Sequence, residues 1–176
     1  MATVKNDLSV KFSLATRILH WVIAVLVFAL IPLGIKMHEL EVGAEKLSLY
    51  KTHSLIGVIL LVLMLIRVYV FFKHERPPHL QTGSKWKDKL AVWIHNAFYF
   101  VILLMTFTGV GINAAAGLIN AYKTNDVAQF PAKIDVLPAE IHKILFFVTG
   151  ILILLHVGGF VKHLILKKEN TLNRII

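Results

Sequence analysis

The sequence predicts an all-α integral membrane protein, a four-helix bundle with both termini on the cytoplasmic side. Three observations predict it. Hydrophobic side chains make up 57% of the 176 residues and charged ones only 16%, with a mean hydropathy of +0.71, far from the composition of ordinary soluble domains. Four apolar stretches reach the roughly 20 residues that a helix needs to cross a hydrocarbon core of about 30 Å. The basic residues fall between those stretches, unequally on the two sides.

The first span is expected at about 18–37. It follows a polar, basic stretch in the manner of a signal peptide, but its apolar run is too long for an h-region and no small-residue cleavage site follows, so it reads as a retained span. The loop "HELEVGAEKLSLYK" leads to the second span, about 52–72. Next comes "KHERPPHLQTGSKWKDK", where the proline pair stops a helix, and then the third span, about 90–113. In the longer loop "AAAGLINAYKTNDVAQFPAKIDVLPAE" the segment "GLINAY" suits a short interfacial helix. The fourth span, about 141–161, ends in the basic tail "KENTLNRII". No loop holds a glycine-rich phosphate or dinucleotide motif, so the chain is expected to be a single membrane domain over 1–176 whose chemistry belongs to the bundle. The absence of cysteine excludes disulfides, thiolate metal sites, iron–sulfur clusters and thiol catalysis.

The charges set the expected orientation. Lys5, Lys11, Arg17, Arg67, Lys73, Arg76, Lys85, Lys87, Lys89, Lys162, Lys167, Lys168 and Arg174 make thirteen on the side of the termini. Lys36, Lys46, Lys51, Lys123, Lys133 and Lys143 make six on the other. The positive-inside rule then puts both termini and the central loop in the cytoplasm and the first and third loops outside. It also accounts for the net charge of +9 without a nucleic acid partner, because the basic residues do not cluster on a soluble face with interleaved aromatics.

Ionisable groups inside spans are costly and point to function. His38, His74, His79 and His163 flank the spans at headgroup level, but His20, His53, His95, His142 and His156 lie within them or at their mouths. Given the expected orientation, His20 and His156 lie toward the cytoplasm, and His53 and His142 toward the outside. His142 and His156 are fourteen residues apart, which at 100° per residue falls within about 40° of whole turns and at 1.5 Å rise separates them by about 21 Å. Zinc usually takes three or four ligands, often with a carboxylate or thiolate. Haem iron takes two axial ligands on opposite faces of a flat macrocycle, which facing helices supply. The expected pairs are therefore His20 with His156 and His53 with His142, each holding a b-type haem for electron transfer. The competing reading of a lone histidine in a span is a helix–helix hydrogen bond, which explains two matched levels poorly.

The remaining candidates are less specific. His95 could replace a ligand of the inner pair, or contact a quinone or haem propionate, or take up protons. Arg67, fourteen residues after His53, suits a propionate or quinone contact, or simple snorkelling to the interface. Gly57, Gly150, Gly158 and Gly159 would let a macrocycle approach, or let helices pack closely.

These residues carry a resemblance. "RILHW" with His20, "KTHSLIGVILLVLMLIRV" with His53 and Arg67, "IHNAFYFVILL" with His95, "EIHKILFFVTGILILLHVGG" with His142 and His156, and the tail "KKENTLNRI" resemble the bacterial cytochrome b561 family over about 13–176. These are small four-helix dihaem proteins of the bacterial inner membrane. The resemblance implies haem ligation by His20, His53, His142 and His156. It also implies electron transfer involving ubiquinone, and some members are regarded as superoxide:quinone oxidoreductases, with superoxide giving its electron on the outer side. Outward lysines could attract an anionic donor, although Glu39, Glu41, Glu45, Asp126, Asp135 and Glu140 largely offset them. The leading expectation is a superoxide:ubiquinone oxidoreductase. The alternatives are an electron-transfer subunit serving a dehydrogenase or small periplasmic cytochrome, and a non-redox transporter or assembly factor.

Overall fold

The computed structural model describes residues 6–176 and contains no strand among them. Lys5, counted above with the basic residues of the terminal end, lies outside the described residues. Four long helices are apolar enough to cross a membrane: α1 (Leu14–Glu39), α2 (Ala44–Lys73), α3 (Lys85–Ala115) and α5 (Leu137–Leu166). The predicted interfacial segment is the short helix α4 (Leu118–Thr124), followed by a 3-10 turn at Val127–Gln129; a second such turn, Thr171–Arg174, closes the tail. The chain is thus a multi-pass membrane four-helix bundle.

Each long helix extends beyond its expected span. At 26 to 31 residues they are about 39 to 46 Å long, more than the hydrocarbon core requires. The extra turns lie where polar residues begin, because a backbone leaving the bilayer still gains by keeping its hydrogen bonds internal. Local chemistry sets the ends. The Ser13 hydroxyl caps α1 by accepting from the Thr16 amide at 3.3 Å, satisfying one of the free donors of the first turn. Pro138 stands in the first turn of α5, where its missing N–H costs nothing. Between α3 and α4 the chain reverses at Gly117, φ +66°, a left-handed conformation that a β-carbon would strain.

Packing runs α1 on α2, α2 on α3 and α3 on α5, and α5 makes no comparable contact with α1 or α2. One core joins Ile23, Leu60, Met64 and Ile102 across α1, α2 and α3. A second joins Val101, Leu145 and Leu152 between α3 and α5. The large apolar residues left exposed, among them Phe28, Leu55, Phe72, Phe147 and Leu154, suit a lipid-facing surface, where burial against protein has no advantage over burial in lipid.

The two ends of the bundle are closed differently. At the terminal end, Arg174 is buried; it donates to the Pro78 carbonyl at 2.7 Å and the Val10 carbonyl at 3.2 Å. Asn6 exchanges hydrogen bonds with the Gln81 backbone and donates to Glu169 at 2.9 Å. The segment before α1, the α2–α3 loop and the tail are therefore joined at one end, as the charge pattern predicts. At the opposite end Leu47, Leu118, Ala121 and Phe130 form a small apolar lid. Beneath it Ser54, Asn113 and Tyr122 share hydrogen bonds of 3.0 to 3.2 Å, and burial pushes the Tyr122 phenol above its usual range.

Candidate functional site

The histidines within the spans meet in pairs at two levels. The His20 and His156 ring centres are 6.3 Å apart with planes at 59°, and those of His53 and His142 are 6.3 Å apart at 67°. Each pair joins one of α1 and α2 to α5, across the region where α5 lacks close helix contact with them. The residues expected at each level from their depth are neighbours in the structure.

The spacing permits a specific test of fit. Two imidazoles on one iron, with metal–nitrogen bonds of about 2 Å, have ring centres about 6 Å apart. Both pairs meet that separation. No group of three or more His, Cys, Asp or Glu placed for one metal ion occurs among the described residues, so the donor set suits a two-ligand centre such as haem better than zinc.

His95 also reaches the His156 ring, at 5.1 Å and 82°. This is an edge-to-face contact, shorter than two imidazoles on opposite sides of one iron allow, and the His95 Nδ1 donates to the Ala91 carbonyl of its own helix at 2.6 Å. Its geometry suits a neighbour of the inner pair. Arg67 lies at the same level, with one guanidinium nitrogen 3.4 Å from His20 Nδ1 and its Cζ 5.5 Å from the Tyr99 ring centre. Its other terminal nitrogen is buried without a partner.

The glycines correct one expectation and add another. A β-carbon at Gly57, Gly150, Gly158 or Gly159 would meet nothing within 4 Å, so close helix packing does not explain these four. The glycines that touch the site are Gly34 and Gly109. A β-carbon on Gly34 would lie 3.5 Å from His53 Cε1, and one on Gly109 would lie 3.6 Å from His142 Cε1. The signal for them was present in the sequence. Gly34 follows His20 by fourteen residues and Gly109 follows His95 by fourteen, the interval that separates His53 from Arg67 and His142 from His156. Every long helix therefore presents two residues of the site on nearly one face, one at each level. Thr108, the remaining neighbour, approaches His142 Nδ1 at 3.0 Å and carries no sequence signal of its own.

A family model described as prokaryotic cytochrome b561 matches residues 11–176. The chain is 24% identical to "Cytochrome b561 homolog 1" of Escherichia coli (strain K12) over an alignment that covers 94% of this chain and 97% of that protein. No solved structure matches the chain significantly. With a match over nearly its whole length and four membrane-spanning helices, the chain belongs to the prokaryotic cytochrome b561 family, membrane electron-transfer proteins that typically bind b-type haem.

Proposed function

We propose that residues 1–176 form one dihaem domain that moves electrons across the bacterial inner membrane, from a donor at the outer face, most concretely superoxide, to ubiquinone. The observation that carries this reading is the pair of histidine contacts, each at 6.3 Å, on two levels of the bundle. His53 and His142 are the outer ligands and His20 and His156 the inner ones. The termini lie in the cytoplasm, in keeping with the excess of basic residues at their end. Haem held by these two histidine pairs would supply one-electron ferric–ferrous chemistry, with two imidazoles committed to each iron.

The overall reaction is two superoxide anions plus one quinone and two protons giving two dioxygen molecules and one quinol. The chain's own residues divide that work. His142 and His156 stand about 21 Å apart along α5, fourteen residues at 1.5 Å each, and would keep two haems at separate levels. At the inner level, Arg67 offers a buried donor to a propionate or a quinone oxygen. His95, with its Nδ1 proton committed to Ala91, keeps Nε2 free to accept and pass a proton. Phe71 meets Tyr99 edge-to-face with centres 5.0 Å apart, linking this level to a cleft of about 430 Å³ lined by Phe71, Arg76 and His79, which suits a quinone ring. At the outer face Lys36 and Lys133 are ion-paired with Glu45 and Asp135, so attraction of an anionic donor rests on the remaining lysines.

The test is a spectrum of the purified protein before and after addition of superoxide, then of a soluble quinone. Reduced b-type bands should appear with superoxide and decay with quinone. Bands that dithionite produces and superoxide does not would favour the electron-transfer subunit, and no b-type bands in haem-replete protein would refute both redox readings.

A further inference from the structure

The His142 ring is held by two consecutive residues of α3, Thr108 and Gly109. Thr108 is buried, and its hydroxyl oxygen lies 2.8 Å from the Met105 carbonyl and 3.0 Å from His142 Nδ1. A hydroxyl has one proton to give, and a carbonyl can only accept. The Thr108 proton goes to Met105, and the Thr108 oxygen accepts from His142 Nδ1–H. A neutral imidazole with its proton on Nδ1 has its lone pair on Nε2, the nitrogen left for a metal. Back-bonding to the preceding turn is common for threonine in helices, and Thr106 does it too, to Leu103 at 2.8 Å. Thr108 differs in having a second, histidine partner.

The inner level presents the opposite environment. His20 Nδ1 lies 3.4 Å from an Arg67 nitrogen; a guanidinium cannot accept, so a His20 that offers Nε2 to a metal receives no hydrogen-bond acceptor from Arg67 and feels only its fixed positive charge. An acceptor on the far nitrogen makes a ligand more basic and stabilises the ferric state. A nearby cation stabilises the ferrous state, which carries one positive charge fewer.

We propose that Thr108 is the positioning residue of the outer pair: it holds His142 with Nε2 free for the metal, and it keeps the outer site at a lower reduction potential than the inner site beside Arg67. The inference rests on the reading of both pairs as haem sites. With haem bound at both sites, that order of potentials would favour an electron on the inner one.

The experiment is a spectroscopic redox titration of the full-length, haem-loaded protein as wild type, Thr108→Val, Thr108→Ser and Arg67→Gln, with His142→Ala used to identify the outer component. The wild type should show the outer component at the lower potential. Thr108→Val should shift that component upward and leave the inner one in place, and Thr108→Ser should restore it. Arg67→Gln should shift the inner component downward. Selective loss of the outer haem in Thr108→Val with retention in Thr108→Ser also supports the proposal. An outer potential that does not rise in Thr108→Val, equal shifts of both components, or failure of serine to restore either property overturns it. Wild-type protein without b-type bands would overturn the underlying reading as well; intact bands with an unmoved outer potential overturn the Thr108 proposal alone.

Discussion

The two levels of the bundle, outer and inner in the proposed orientation, are built on one spacing and furnished differently. Fourteen residues along each long helix connect them, yet the outer level presents His53, His142, Gly34 and Gly109, and the inner level presents His20, His156, His95 and Arg67. Two glycines bring neighbouring helices against the outer imidazoles, whereas the inner imidazoles have a third histidine ring and a guanidinium beside them. The level of His53 and His142 is sterically restricted and has only uncharged hydrogen-bonding neighbours such as Thr108, and the level of His20 and His156 has a guanidinium and a third imidazole beside it. Repetition of a spacing can thus duplicate a pair of facing imidazoles while the residues around them give the two pairs different electrostatic surroundings.

The largest effects should come from removing a ligand from one level. His142→Ala should halve the haem content and leave the inner spectral component, and His156→Ala should leave the outer one, as measured by pyridine haemochrome and low-temperature spectra. Normal haem content in either variant would remove that residue from the ligand set. His95→Ala should retain both haems; loss of the inner one would erase the distinction between neighbour and ligand at that level.

A smaller effect tests the steric half of the comparison. Gly109→Ala places its β-carbon at an ordinary contact distance of 3.6 Å from His142 and should bind both haems normally. Gly109→Leu needs space that the ring occupies, with overpacking costs of roughly 1–3 kcal/mol, and should weaken the outer haem selectively. Equal loss of both haems in the leucine variant would point to the bundle and not to the level.

The smallest effect concerns how the terminal end is tied down. Burial alone would raise the Glu169 carboxyl, but hydrogen bonds from Asn6 and His163 outweigh it and hold it below the usual carboxylate range. A folded value below the unfolded one means that the carboxylate's contribution is complete above the unfolded value and is lost as pH falls through the folded one. Acidification below the ordinary carboxylate range should therefore increase amide exchange in the tail and the α2–α3 loop before it affects the outer lid. Glu169→Gln should remove that order of events, and the same order in the variant would dissociate the effect from this carboxylate.

The four spans, the short interfacial helix, the placing of both termini at one end and the two histidine pairs could all be read from the chain. Hydropathy and basic residues report the membrane directly, because lipid permits few alternatives to a helix. The roles of Gly34, Gly109 and Thr108 could not be assigned in the same way. The glycines share the fourteen-residue spacing, but what they touch belongs to a neighbouring helix. Arg174 reads as one more cytoplasmic charge, whereas it is buried among the carbonyls of Val10 and Pro78. Nothing local in the tail announces those distant partners.

By itself the sequence determined how deep each residue lies and which face of its helix it occupies, since both follow from a fixed rise and turn per residue. Only the tertiary structure decided which face meets which: that α5 stands apart from α1 and α2 by the width of a facing imidazole pair, that His95 touches His156 edge-on, and that Thr108 lies against His142 Nδ1. Those choices depend on packing between helices distant in sequence, where shape and hydrogen-bond complementarity select one arrangement from several that the same periodicity would allow.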